Sequence, residues 1–168
     1  MEEKLREYAK LLIGVGLNVQ RGQTLVISCP VECAFFARMC AQEAYDIGCR
    51  EVVMNWHDDA MVRMKYLHAA EDVFDTVPLW RRHFFNDYAQ EGAAYLAISA
   101  TDPENLKGVD PNRLVRSQQA SGKALKDFDR LQMCSGFPWC IASIPIPSWA
   151  ERVFPEARGQ AAQAVELA

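Results

Sequence analysis

Three histidines, His57, His68 and His83, are the whole supply of imidazole in this sequence, so a metal site or acid–base pair built on histidine must use one of them. The best placed is His57, followed by Asp58 and Asp59. This triplet directly succeeds an apolar run, and open α/β sheets put their ligands at the carboxyl ends of strands. Chelation from a helix would need a second histidine four residues on, and none stands there. Adjacent side chains diverge, and the two aspartates suit the first turn of a helix, so capping is their expected role. His68 with Glu71 and Asp72, and His83 with Asp87, fall in segments dense in charge and read as solvated surface.

Nucleophilic and phosphate chemistry fare no better. The six cysteines, Cys29, Cys33, Cys40, Cys49, Cys134 and Cys140, lie in apolar runs without C-x-x-C spacing and are expected to be reduced and mostly buried. None has a histidine beside it to act as a base. No G-x-G-x-x-G follows the first apolar run. The residues there are Ser28-Cys29-Pro30-Val31-Glu32, whose glutamate would repel a phosphate and whose proline lacks an amide donor. G-x-x-x-x-G-K-[ST], G-x-S-x-G and H-E-x-x-H are all missing. Phe137-Pro138-Trp139 and Pro145-Ile146-Pro147-Ser148-Trp149 form a dense aromatic and proline cluster that suits the edge of a core, with a pocket or partner surface as the alternative. No residue of this chain is assigned a catalytic, cofactor-binding or metal-ligating role.

The elements that would position such residues alternate between helix and strand. Leu5, Tyr8, Leu11, Leu12 and Val15 make the stripe of an amphipathic helix from Glu2 to about Gly16. Thr24 to Ser28 is a β-branched run for a strand buried on both faces, broken by Cys29-Pro30. Val31 to Ile47 reads as a helix closed by Gly48, and Glu51 to Trp56 as a second strand, giving a βαβ unit with parallel strands. Asp58 to Gln90 is expected to be helical with an interruption at Val77-Pro78, and Ala93 to Ser99 a third strand. Asp102-Pro103 and Asp110-Pro111 each carry the signature of a helix start. Leu114, Gln118, Ser121, Leu125, Phe128 and Gln132 share one face of a single long helix. Trp139 to Ile144 is the fourth strand. After Gly159 everything is helix-forming and nothing closes the helix, from which more chain is expected to follow. The expected architecture is α/β: a small, mostly parallel sheet of about four or more strands with flanking helices in three layers.

Apolar residues at 50% and charged residues at 24% of 168 fit one ordinary globular domain. The net charge of −4 is spread along the chain, which leaves no basic face for nucleic acid. Neither a secretory signal nor an apolar stretch long enough to span a membrane occurs, so a cytoplasmic location is expected.

Several ordered blocks carry a more specific signal. They are Tyr8-Ala9-Lys10-Leu11-Leu12 with Gly16 to Gln23, Cys29-Pro30-Val31-Glu32, Ala44 to Val52, and Trp139-Cys140-Ile141-Ala142 leading to Pro145, Pro147-Ser148-Trp149-Ala150 and Val153-Phe154-Pro155. In these the sequence resembles the N-terminal part of the aminopeptidase T and aminopeptidase S family of metallo-aminopeptidases. Met133 to Pro138 departs from the more polar, asparagine-containing approach to Trp139 that the resemblance would lead one to expect.

The resemblance implies a cytoplasmic two-domain enzyme that removes N-terminal amino acids from peptides. Two divalent ions (Co, Zn, Mn or Mg) would be held by a C-terminal domain absent from this chain. Residues 1–168 would then be a non-catalytic N-terminal α/β domain that binds no metal itself, with its own catalytic domain as partner, peptides as substrates and a homodimer as the assembly. The alternatives are a free-standing α/β ligand-binding or interaction module, and a fragment that self-associates through a surface normally covered.

Overall fold

The structure, a computed structural model, describes residues 2–146 together with Ala150, Val153 and Phe154. The helix expected after Gly159 and the Pro147-Ser148-Trp149 portion of the aromatic cluster lie outside the described residues.

Four strands, β1 (Thr24–Pro30), β2 (Glu51–His57), β3 (Ala94–Ser99) and β4 (Trp139–Ser143), form one sheet in the order β2-β1-β3-β4. All three pairings are parallel. β1 is the centre, registered on β2 from Thr24↔Glu51 to Pro30↔His57 and on β3 from Leu25↔Ala94 to Ser28↔Ala97. The strand therefore runs through Pro30 rather than breaking at Cys29-Pro30. Proline is tolerated because it stands last, its backbone is still extended (φ −60°, ψ 142°), and pairing with β3 has already ended at Ser28.

Helix α1 (Glu2–Lys10), the helical stretch that continues it and helix α2 (Ala34–Ile47) cover one face, packing Leu12, Ile13 and Phe36 against Leu25, Ile27 and Leu96. Helices α4 (Leu79–Gln90) and α6 (Lys126–Met133) cover the other, where Val26, Ala89, Tyr95 and Phe137 are buried with Phe85 and Phe128 packed against them. The three-layer α/β architecture and the β1-α2-β2 unit are as the sequence patterning leads one to expect.

Local departures have identifiable causes. Beyond Lys10 the first helix widens into a π-helical stretch, Leu11–Gly16, in which the Leu17 amide bonds the Leu12 carbonyl at 2.8 Å. The wider turn rotates the apolar stripe, so Leu12, Ile13 and Leu17 are buried while Leu11 and Val15 face out. α2 is preceded by a short 3₁₀ turn (Val31–Cys33) and closed by Gly48 at φ 94°, the left-handed conformation glycine supplies without strain. Between Asp58 and Gln90 the helix breaks twice. α3 (Asp59–His68) stops at Ala69, a 3₁₀ turn spans Glu71–Phe74, and α4 begins after Pro78.

Asp102-Pro103 does not start a helix. The Asp102 carboxylate accepts the Glu104 amide in a local turn, and the following carbonyls are taken by tertiary bonds, with Arg63 donating to the carbonyls of Asn105 and Lys107. Asp110 does cap α5 (Pro111–Ala124), accepting the Asn112 amide at 2.9 Å.

The single long helix expected after Asp110 is broken at Leu125 into α5 and α6. Asn86 of α4 is the reason. Its amide donates to the Ala124 carbonyl and accepts from the Phe128 N–H, both at 3.1 Å, and so inserts into the bond those two groups would make in a continuous helix. Asn86 is the one buried polar residue among those described. Replacing it with alanine leaves both groups without their partner. The expected loss is about 1–3 kcal/mol in urea unfolding, and an unchanged midpoint would show that the insertion does not hold the break.

Candidate functional site

The order β2-β1-β3 places a topological switch between β1 and β3, and the crevice beyond the carboxyl ends of such strands is where open parallel sheets take ligands. At that end stand Glu32 after β1, His57 and Asp59 at the end of β2, and Asp102 after β3. Asp58 caps α3, its carboxylate accepting the Met61 amide at 3.0 Å, which is the role its position suggested. Burial pushes the Asp59 carboxyl above the ordinary carboxylate range. The Asp102 amide and the His57 charge oppose this, and the charges of Glu32 and Asp102 add to it. The edge is thus acidic and partly desolvated, with one imidazole. Among the described residues no group of three or more His, Cys, Asp or Glu comes together that could hold a metal ion.

His68 is exposed at the end of α3, apart from this cluster. Glu71 belongs to a polar network. Its carboxylate pairs with Arg113 at 2.6 Å and Arg116 at 2.7 Å, and Arg116 also pairs with Asp75 at 2.6 Å. Arg113 reaches the carbonyls of Tyr66 and Leu67, which closes the end of α3. His83 lies 3.2 Å from Asp87 with both exposed, on the rim of a 330 Å³ cavity that Thr24, Arg50 and Tyr88 also line. Thr24 opens β1, so this cavity sits at the amino end of the sheet, opposite the switch point.

All six cysteines are free thiols, and four of them are buried: Cys29, Cys33, Cys40 and Cys49. Burial pushes Cys29 and Cys40 up to about 12 and raises Cys33 and Cys49 as well, so the thiolate needed for attack is strongly disfavoured. Cys134 is exposed and Cys140 half-buried. Of the aromatic cluster, Phe137 packs in the core against Tyr95 and Phe128, whereas Trp139 lies partly outside it and donates to the Gln132 carbonyl at 3.2 Å. The arginine network and the Asn86 insertion carry no motif. Their only trace in the sequence is the matched spacing of Glu71 with Asp75 (i, i+4) and of Arg113 with Arg116 (i, i+3).

The described residues form an α/β scaffold with a polar edge at the carboxyl ends of its strands, and relatives give it a context. The sequence pattern of the family described as Peptidase_M29, thermophilic metalloprotease (M29), matches residues 1–167. The chain belongs to this family. It is 37% identical over 161 residues to Aminopeptidase 2 of Geobacillus stearothermophilus, a match covering 96% of this chain and 39% of that protein. It is 35% identical over 155 residues to Aminopeptidase T of Thermus aquaticus, covering 91% and 38% respectively. The structure of wild-type AmpT from Thermus thermophilus superposes with a TM-score of 0.89 at 32% identity, over 98% of this chain and 41% of that one. The chain spans about two fifths of the length of these M29 relatives.

Two outcomes test the chemistry of these side chains. Near pH 8, close to an ordinary thiol pKa of ~8.5, a colorimetric thiol reagent should react quickly with Cys134 and reach the four buried cysteines only on unfolding. Quick reaction of all six would contradict the described burial. The arginines hold the Glu71 and Asp75 carboxyls below their ordinary range, so their stabilisation is present above that range and is lost as pH falls through the lowered values. Arg116→Ala should therefore lower the melting temperature at neutral pH, with a gap from the wild type that closes in acid and narrows with salt. A gap independent of pH would rule the network out as the cause.

Proposed function

We propose that residues 1–168 form the N-terminal, non-catalytic domain of a metallo-aminopeptidase that releases N-terminal amino acids from peptides. The observation that carries this reading is the coverage. Nearly all of this chain matches proteins named as aminopeptidases, yet it accounts for only about two fifths of each. A free-standing binding module is the weaker reading, because the fold is kept throughout as part of those longer proteins.

The metal chemistry of the M29 family does not fit onto the residues described here. The carboxyl-edge acids are a helix cap, a partly desolvated Asp59 and a turn-forming Asp102, and they form no ligand group. The two divalent ions (Co, Zn, Mn or Mg) and the peptide are accordingly assigned to a C-terminal domain of the parent. That parent is proposed to be cytoplasmic and homodimeric. This chain supplies a rigid α/β wall whose carboxyl-edge loops border the catalytic part. Among the described residues no helix is long and apolar enough to cross a membrane.

Calorimetric titration of the 168-residue chain with cobalt, zinc, manganese or magnesium should register no tight stoichiometric site, and an aminoacyl reporter should not be cleaved. The parent polypeptide should cleave the reporter and stop on treatment with a chelator. Metal-dependent turnover by this chain alone would overturn the assignment.

A further inference from the structure

Residues paired in register across a parallel sheet point to the same side, so the sheet can be read row by row. On the face covered by α4 and α6, the row Val53-Val26-Tyr95 enters the core, with Val26 and Tyr95 buried, and ends at Trp139 on the sheet edge. The next row towards the carboxyl ends is Asn55-Ser28-Ala97-Ile141. Here cover stops: Asn55 and Ser28 are half-buried, Ala97 is exposed and Ile141 is 61% exposed. In the row after that, Ser99 and Ser143 are both exposed while Pro30 on β1 is buried and His57 on β2 half-buried, so the bare part of this face lies on β3 and β4.

This is no general fraying of strand ends. On the opposite face, between these same two rows, Cys29, Ile98 and Ala142 are buried and Trp56 on the edge strand β2 is exposed. All-parallel sheets are otherwise found with both faces covered. Among the described strands β4 also has no neighbour on its outer side, which leaves backbone N–H and C=O groups free to pair. Beside it the apolar side chains of Met133 (84% exposed) and Trp139 (41% exposed) stand in solvent.

We infer that this bare half-face, with the free edge of β4, is the surface on which the remaining part of the parent polypeptide packs. The inference rests on the reading of the chain as one domain of a longer aminopeptidase, and it names where on this domain the partner sits. The side chains are prepared for burial. Asn55 donates to the Ser28 hydroxyl at 2.9 Å and the Ser143 hydroxyl to the Ser99 carbonyl at 3.1 Å, so covering them strands none of these donors. Ser28, Ala97, Ser99 and Ser143 are small and permit close approach of a covering element, with Ile141 as its apolar anchor.

Size selects the occupant. Two rows across β3 and β4 at ~4.8 Å spacing make a patch of only roughly 130 Å², against the ~800 Å² per partner of a stable association between separate molecules. A second copy would have too little to hold. A tethered domain gains an effective concentration that makes a small seat sufficient, and about three fifths of the relatives' length lies outside the matched region.

Hydroxyl-radical footprinting read by mass spectrometry tests this on the 168-residue chain and on the parent polypeptide. Trp139 and Met133 report on the seat, while Tyr45, exposed on α2, and Leu11, exposed on the π-helical stretch after α1, report on the opposite side of the sheet. Oxidation of Trp139 and Met133 should drop by about fivefold or more in the parent, as expected when exposed side chains become buried, with less change at Tyr45 and Leu11. Protection of Tyr45 and Leu11 in place of Trp139 and Met133 would overturn the assignment. So would protection of Trp139 in the chain alone that grows with concentration, which would identify a second copy as the occupant. Reporter cleavage in the same samples separates the two readings. Turnover with Trp139 unprotected refutes the docking surface and leaves the function, whereas protection without turnover refutes the function and leaves the surface.

Discussion

Burial of β1 on both faces is the constraint from which the rest of this structure follows. A central parallel strand must be covered on both sides, and its residues alternate between two separate cores: Leu25, Ile27 and Cys29 face α1 and α2, while Val26 faces α4 and α6. Leu25, Val26, Ile27 and Cys29 have no exposed surface, so no slip of register is available to this strand. The first face is filled by compact aliphatic and thiol side chains, which explains why all four buried cysteines, Cys29, Cys33, Cys40 and Cys49, sit there as packing groups with raised pKa values.

The second face is covered by different means. Rings from α4, β3, α6 and the turn before β4 meet there, with Tyr95 at 5.1 Å from both Phe128 and Phe137. For Phe128 to reach that cluster the chain must turn after α5, and Asn86 compensates the backbone groups that the turn would leave unpaired. One polar side chain thereby sets the direction of α6, and with it the point at which helical cover of the sheet ends.

What the sequence makes legible is set by how local the cause is. The four strands, the Gly48 cap, and the Asp58 and Asp110 caps are dictated by neighbouring residues and could be read directly. The rotated stripe at Leu11 and Val15, the unformed helix at Asp102 and the break at Leu125 depend on partners 30 to 50 positions away or on a π-helical turn that periodicity at 3.6 residues does not register. Family membership was readable because it is carried by ordered blocks rather than by any one residue type. The bare half-face was not, since Ser28, Ala97, Ser99 and Ile141 become a surface only once the register aligns them.

Polar bonds dominate the elements that issue from the carboxyl ends of β2 and β3. Neither α3 nor α5 contains a buried residue. They are joined by Arg113 and Arg116 to Glu71 and Asp75, by Arg113 to the end of α3, and by Arg63 and Asn105 to the turn after Asp102. A layer held by arginine-to-carbonyl and ion-pair bonds responds to salt and protonation far more than a packed core does, and its bonds can shorten or exchange without opening a cavity. The strands beneath have no such freedom, because any shift of β1 would disturb both cores together. The domain therefore combines a fixed sheet with an adjustable rim on its carboxyl side. On the proposed reading, that is the side on which it meets the part of the enzyme that performs the chemistry, and it suits a domain that supplies no ligand itself to contribute a wall of fixed shape with loops that can settle against a neighbour.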